Sequence, residues 1–146
     1  MITWIASYPK SGNTWMKLFL KSYFNSSNSD FSINPKPDDH LQIESFPVRT
    51  KFKDLNIKYK DFAEIAKNWI SMQSLINLNN KSNFLKTHNA MCSINGYQFT
   101  NNENTIGAIY IVRDPRDVII SYSKFLDKDI DETIDFVVDW YKNFMV

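Results

Sequence analysis

Apolar positions along the chain predict short buried strands that alternate with amphipathic helices. Residues 2–7 are mostly apolar and partly β-branched, and Tyr8-Pro9 ends the run, so we expect a short strand there. Two further runs have this character, at residues 84–87 and 106–112, and the last is the most strand-like segment of the chain. Short apolar strands separated by helices are typical of an α/β fold with a mostly parallel sheet.

Four helices are predicted between and after these strands. The first begins near Thr14, and the second begins at Asp61 and steps by three and four between apolar residues. The third follows Asp114, which can cap it, and the last begins near Asp131. Their apolar faces are Trp15, Leu18, Phe19 and Phe24; Phe62, Ile65, Trp69, Met72 and Ile76; Val118, Ile119, Tyr122 and Phe125; and Ile134, Val137, Val138, Tyr141 and Met145.

The segment from residue 25 to residue 59 shows no regular period. It contains three prolines and is too long for an ordinary loop, so we interpret it as a lid or a substrate wall. His40 within it is interpreted as a structural residue. Several aromatic residues fit either an apolar acceptor pocket or the core, and we favour the core. They are Phe46, Phe52, Tyr59 and Trp69.

Length and composition narrow the class of protein. At 146 residues the chain is expected to be a single domain, residues 1–146, and its 43% apolar content excludes a disordered chain. One cysteine, Cys92, excludes a disulfide-stapled scaffold. No apolar run approaches the ~20 residues that span a bilayer, and the N-terminus does not resemble a signal peptide. We therefore expect a cytoplasmic protein without membrane contact.

The charge balance bears on the ligand. Lys and Arg total 17 and Asp and Glu total 16, a formal net charge of +1, which excludes the broad positive field used for nonspecific nucleic-acid binding. An anionic ligand must therefore be held by a local site. We find no residue cluster with metal-ligand spacing and predict no metal.

Residues 8–15 form the first of three polar motifs that follow the predicted strands. A turn with Gly12 lets successive backbone N–H groups form an anion nest at a helix N-terminus. Lys10 adds a positive charge. The Walker A pattern is different, because there the lysine follows the last glycine. The alternative is an ordinary capped turn between strand and helix.

Residues 86–88 form the second motif, in which Lys86 and His88 leave one strand end together. Histidine is the side chain most easily poised as a base near neutral pH. A lone histidine is more often structural, but the adjacent lysine and the strand-end position favour a functional role. In parallel sheets, ligands bind beyond these carboxyl ends.

Residues 111–122 form the third motif. Arg113 leaves the strand end, where its planar fork suits a phosphate, and the hydroxyl of Ser121 can reach the same anion from the following helix. The alternative is that Arg113 pairs with Asp114 or Asp117 while Ser121 faces solvent.

In this order, the three motifs resemble those of the sulfotransferases that use 3′-phosphoadenosine 5′-phosphosulfate (PAPS). Residues 8–15 look like the family's 5′-phosphosulfate loop, and residues 111–121 look like its 3′-phosphate motif. Residues 86–88 stand where the family carries a catalytic Lys-x-His. The resemblance implies a three-layer α/β/α fold similar to P-loop NTPases, with a parallel sheet flanked by helices.

The resemblance also implies roles for individual residues. His88 is the implied general base, and Lys86 and Lys10 are the implied catalytic cations near the transferring sulfuryl group. Trp15 is implied to stack on adenine. The implied nucleotide-binding positions are Lys10, Ser11, Gly12, Asn13, Thr14, Trp15, Arg113 and Ser121.

No glycine follows Ser121, so the family's C-terminal Gly-x-x-Gly-x-x-Lys segment is not found and the implied fold is truncated at its C-terminus. We therefore expect weaker nucleotide binding than in longer members. The leading hypothesis is sulfuryl transfer from PAPS to a small-molecule hydroxyl or amine.

Two other functions are considered. One is a catalytically impaired fragment that binds the nucleotide or a partner, as a homo-oligomer or with a complementing chain. The other is a kinase, which the order of residues in the first loop argues against.

Overall fold

The computed structural model describes residues 1–24, 41, 43–57 and 62–144. Its strands are β1 (Ile2–Ser7), β2 (Ile43–Ser45), β3 (Asn83–Thr87), β4 (Ser93–Ile94), β5 (Tyr97–Gln98) and β6 (Thr105–Ile111). Its helices are α1 (Asn13–Phe24), α2 (Lys51–Asp54), α3 (Phe62–Lys67), α4 (Trp69–Asn77), α5 (Pro115–Leu126) and α6 (Ile130–Phe144). In this described part of the chain, no helix is long and apolar enough to cross a membrane.

Four strands form one parallel sheet in the order β2-β3-β1-β6. The three strands predicted from the apolar runs, β1, β3 and β6, all lie within one residue of their predicted bounds. β1 pairs with β3 on one side and β6 on the other, which explains its nearly continuous apolar sequence. The predicted α/β class with a parallel sheet is confirmed.

Helices cover both faces of the sheet because alternate residues of β1 point to opposite sides. Ile2 and Trp4 belong to one core, which lies under α3 and α4. Ile5 belongs to a second core, with Leu20 of α1. The sheet and these two helical layers hold the ends of β1 and β3 in a fixed register.

Three of the four aromatic residues assigned either to an acceptor pocket or to the core belong to the first core. Phe46, Phe52 and Trp69 are each almost fully buried. Phe46 and Trp69 both pack edge-to-face on Phe99, with ring centroids 5.7 and 5.2 Å apart. The core interpretation is confirmed for these three, and Tyr59 lies outside the described residues.

Of the segment interpreted as a lid or a substrate wall, the structure describes residues 41 and 43–57, and these do not form a lid. They add the edge strand β2 to the sheet, and Ile43 and Val48 are buried in the core. A strand of three residues is too short to show a period in the sequence. His40 and the predicted cap Asp61 lie outside the described residues.

The second predicted helix is divided into α3 and α4 at Asn68. The Asn68 side-chain amide donates to the carbonyl of Glu64 at 2.8 Å. That carbonyl is the one that the Asn68 backbone N–H would use in a continuous helix, so the side chain competes with the backbone. The apolar face survives the break, because Met72 and Ile76 are buried in the same core.

The last two helices begin as predicted, but neither buries its whole predicted apolar face: in α5, Val118 is buried and Phe125 is exposed. At the start of α5 the Asp114 carboxylate accepts from the Arg116 N–H at 2.9 Å, which confirms the cap. α6 packs on α5. Ile134 and Val138 of its predicted apolar face are exposed, whereas Thr133 is buried.

Candidate active site

The register of the sheet brings the three polar motifs to one edge. Ala6 of β1 pairs with Thr87 of β3 and with Tyr110 of β6, so the three strands end together. Lys10, Lys86, His88 and Arg113 line a cavity of about 700 Å³ there with most of the other predicted site residues. The remaining predicted residues in its lining are Gly12, Asn13, Thr14, Trp15 and Ser121.

The loop between β1 and α1 has the backbone shape of an anion nest. Gly12 has a φ of 110°, which L side chains rarely adopt, and Lys10 has a φ of 67° in the left-handed region. The first helical hydrogen bond runs from the Met16 N–H to the Gly12 carbonyl at 3.0 Å. The N–H groups before Met16 therefore have no partner within the helix and are suited to an anion.

Ser11 differs from the other predicted loop residues. Its side chain is buried and does not belong to the cavity lining. Its backbone N–H donates to the Tyr8 carbonyl at 3.2 Å, which closes the turn. Ser11 therefore stabilises the turn of the loop and does not line the cavity.

Asn13 holds two strand ends together. Its side-chain amide donates to the carbonyl of Ile5 at 3.0 Å and to that of Thr87 at 3.3 Å, and the residue is 3% exposed. Ile5 is in β1, which leads to Lys10, and Thr87 precedes His88. The Asn13 side chain thus fixes the base relative to the loop, a role that sequence reasoning missed because it needs the contact between distant strands.

His88 is held in one tautomer. Its Nδ1 lies 2.8 Å from the backbone carbonyl oxygen of Ser7, which can only accept, so Nδ1 carries the hydrogen and Nε2 carries the free lone pair. Burial lowers the pKa of His88, and the charge of Lys86 lowers it further against the opposing effect of the Ser7 carbonyl. The imidazole is therefore neutral at pH 7 and can take a proton.

Lys86 is the second predicted catalytic residue on this strand. Burial lowers its pKa, and the positive charges of Lys17 and Lys10 lower it further. Because Lys10 and Lys86 both line the cavity, an anion that enters it is attracted by both ammonium groups. Lys17 was not singled out from the sequence, although it lies one helical turn after Asn13.

Arg113 connects the third motif to the first. Its Nη1 donates to the Lys10 carbonyl at 3.1 Å, and its Nε lies 3.8 Å from an Asp117 carboxylate oxygen. The alternative pairing with Asp117 is thus observed, but it leaves Arg113 in the cavity lining with Ser121. Asp114 is instead bound by both arms of Arg116, at 3.0 and 2.6 Å.

Two aromatic residues of α5 were predicted only as part of its apolar face, yet they also line the cavity. They are Tyr122 and Phe125. Phe125 follows Ser121 by four residues, so the two side chains lie on the same side of the helix. This spacing could have been read from the sequence. Burial raises the pKa of Tyr122.

The donor set suits a ligand with two separate anionic groups. Backbone N–H groups and Lys10 lie at one strand end, and Arg113 and Ser121 lie at another. No carboxylate is found among the described residues that line the cavity. Since Trp15 at the rim is 70% exposed, its indole ring is accessible to a planar ligand group.

A comparison with protein families gives an independent result. The model described as the sulfotransferase domain matches residues 2–144, nearly the whole chain. A search of curated proteins found no match.

Proposed function

Because this chain belongs to the sulfotransferase domain family, we propose that it moves a sulfuryl group from PAPS to a hydroxyl or amine of a small-molecule acceptor in the cytoplasm. The observation that carries the proposal is the convergence of Lys10, His88 and Arg113, far apart in sequence, around one cavity. A neutral base and several cations in one carboxylate-free cavity fit an anionic donor and a protic acceptor.

Different residues bind different parts of the nucleotide. Lys10 and the N–H groups of the loop at Gly12 hold the 5′-phosphosulfate, with Ser11 shaping the turn. Arg113 and Ser121 hold the 3′-phosphate. Trp15 stacks on adenine from the rim of the cavity.

The chain's own groups carry out the proton transfer and the charge stabilisation. The donor supplies the sulfuryl group and a phosphate leaving group on which negative charge develops. His88 Nε2 takes the proton from the acceptor, because Nδ1 is bound to the Ser7 carbonyl. Lys10 and Lys86 stabilise the developing charge, and fixed donors of this kind act more strongly on the transition state than on the ground state.

The experiment is a transfer assay with PAPS and a panel of phenols, alcohols and amines. We expect adenosine 3′,5′-bisphosphate and sulfated acceptor to form in equal amounts. His88→Ala should retain nucleotide binding and lose transfer by roughly 10²–10⁴-fold. Equal rates for the variant and the parent would remove His88 from the mechanism.

A second candidate function is a binding module that holds the nucleotide without turnover. It is favoured by the exposed side of the edge strand β6, where Ile106 and Tyr110 are 63% and 70% exposed, and by Val112 just after the strand, which is 76% exposed. Exposed apolar patches of this kind often mark association surfaces. Adenosine 3′,5′-bisphosphate binding without transfer to any acceptor would support this function over catalysis.

A further inference from the structure

The main chain of Lys10 is fixed from two directions. Its φ of 67° places it in the left-handed region, where a residue with a side chain is held only by its surroundings. The guanidinium of Arg113 donates to the Lys10 carbonyl across 103 residues of sequence. The point from which the Lys10 side chain departs is therefore set by the fold.

The end of the Lys10 side chain has a partner of a different kind. Its Nζ lies 4.4 Å from the centroid of the Phe125 ring, within the range of a cation–π contact. Phe125 is 68% exposed, so its ring contributes little to the core. It stacks on Tyr122, with centroids 6.1 Å apart and planes 11° apart, and Tyr122 contacts Phe136 of α6. The Phe125 ring is thus supported by the packed pair α5 and α6.

An aromatic partner has a specific advantage over a carboxylate at this position. Of the described carboxylates, none lies within 4 Å of the Lys10 ammonium. The face of an aromatic ring attracts a cation but has no net charge, so it does not repel an incoming phosphosulfate. The ring also restricts the rotamers of the Lys10 side chain before a ligand arrives, so less side-chain entropy is lost on binding.

We propose that Phe125 is a positioning residue that acts through Lys10, holding the ammonium at the cavity so that less side-chain freedom is lost when an anionic nucleotide binds. The proposal rests on the proposed function, since it concerns the same site. It assigns Phe125 no contact with the nucleotide.

The test measures nucleotide affinity in a double-mutant cycle. Phe125→Leu keeps an apolar side chain and removes the ring, and Phe125→Tyr keeps the ring. Titration calorimetry with adenosine 3′,5′-bisphosphate should show about two- to fivefold weaker binding for the leucine variant, as expected for an exposed cation–π contact. The tyrosine variant should bind like the parent. In a Lys10→Met background, Phe125→Leu should change the affinity by less than this.

The outcomes separate this proposal from the function on which it rests. Equal binding by Phe125→Leu and the parent overturns the positioning role, and so does an equal loss in the Lys10→Met background, which would show a direct contact with the ligand. A parent that binds no nucleotide overturns the proposed function and with it the role of the contact. In that case the ring-current shift of the Lys10 ε-methylene protons, present in the parent and lost in Phe125→Leu, still reports whether the contact exists.

Discussion

Replacing Asn13 tests whether a buried side chain holds the two halves of the site together. Its amide group donates to the Ile5 carbonyl at 3.0 Å and to the Thr87 carbonyl at 3.3 Å, with the residue 3% exposed. These carbonyls belong to β1 and β3, which lead to the loop lysine and to His88. Loss of the two bonds should lower stability and loosen the geometry of the site together.

The magnitude follows from the hydrogen bonds. Each buried bond contributes about 1 kcal/mol. Asn13→Ala removes both, but it also removes Oδ1, which no donor of the described residues reaches, and this offsets about 1 kcal/mol. We expect the free energy of unfolding to fall by about 1 kcal/mol.

Asn13→Asp keeps the shape and should be worse. It places a buried carboxylate against two carbonyl oxygens, an arrangement that costs several kcal/mol. The positive end of the α1 helix dipole offsets at most about 2 kcal/mol of this cost. We expect a loss of about 3 kcal/mol or more.

Urea unfolding of the parent and both variants measures these losses. Asn102→Ala, in an exposed turn, is the matched control and should stay within about 0.5 kcal/mol of the parent. If Asn13→Ala is no more destabilising than the control, or if Asn13→Asp is no worse than Asn13→Ala, then the side chain does not hold the strands and the reasoning fails.

Three further predictions follow from the same structure. The transfer rate should be constant near neutral pH and fall in acid as His88 is protonated, at a lower pH than for an ordinary histidine because burial lowers the pKa of His88. The rate should also fall in alkali as Lys86 loses its proton, at a lower pH than for an ordinary lysine because burial lowers the pKa of Lys86. A pH–rate profile measures both limbs, and an acid limb at or above the pH of an ordinary histidine would contradict the burial of the base. Arg113→Lys should weaken binding of adenosine 3′,5′-bisphosphate roughly tenfold by calorimetry. Arg116→Lys should leave binding unchanged, because Arg116 is engaged by Asp114; equal effects of the two variants would refute the assignment of Arg113. Trp69→Ala should cost about 3–5 kcal/mol in urea unfolding, since this side chain is fully buried, and a loss under 1 kcal/mol would contradict the core.

The central strands and the convergence of the motifs could be predicted because a buried parallel strand leaves a continuous apolar run. β1, β3 and β6 show such runs, and parallel strands place their carboxyl ends at one edge. The cap of α5 by Asp114 was equally visible, since an acidic residue followed by proline is a local signal. These features depend on neighbours in sequence.

Other features depended on contacts between distant residues or on signals too short to detect. β2 has only three residues. The division between α3 and α4 depends on whether the side chain or the backbone N–H of Asn68 donates to the Glu64 carbonyl. The hairpin of β4 and β5 was missed although Asn95 and Gly96 form the two-residue turn that this dipeptide favours, with φ values of 51° and 82°. In the site, the contact of Lys10 with Phe125 joins residues that only the fold brings together.

Calorimetric titration of the chain with adenosine 3′,5′-bisphosphate, with ATP as the competitor, tests the central claim most directly. We predict a single saturable site that prefers the 3′-phosphorylated nucleotide, and weaker binding when either Lys10 or Arg113 is replaced by Met. No binding of that nucleotide, or a preference for ATP, would contradict the claim that these two cations serve one doubly phosphorylated ligand.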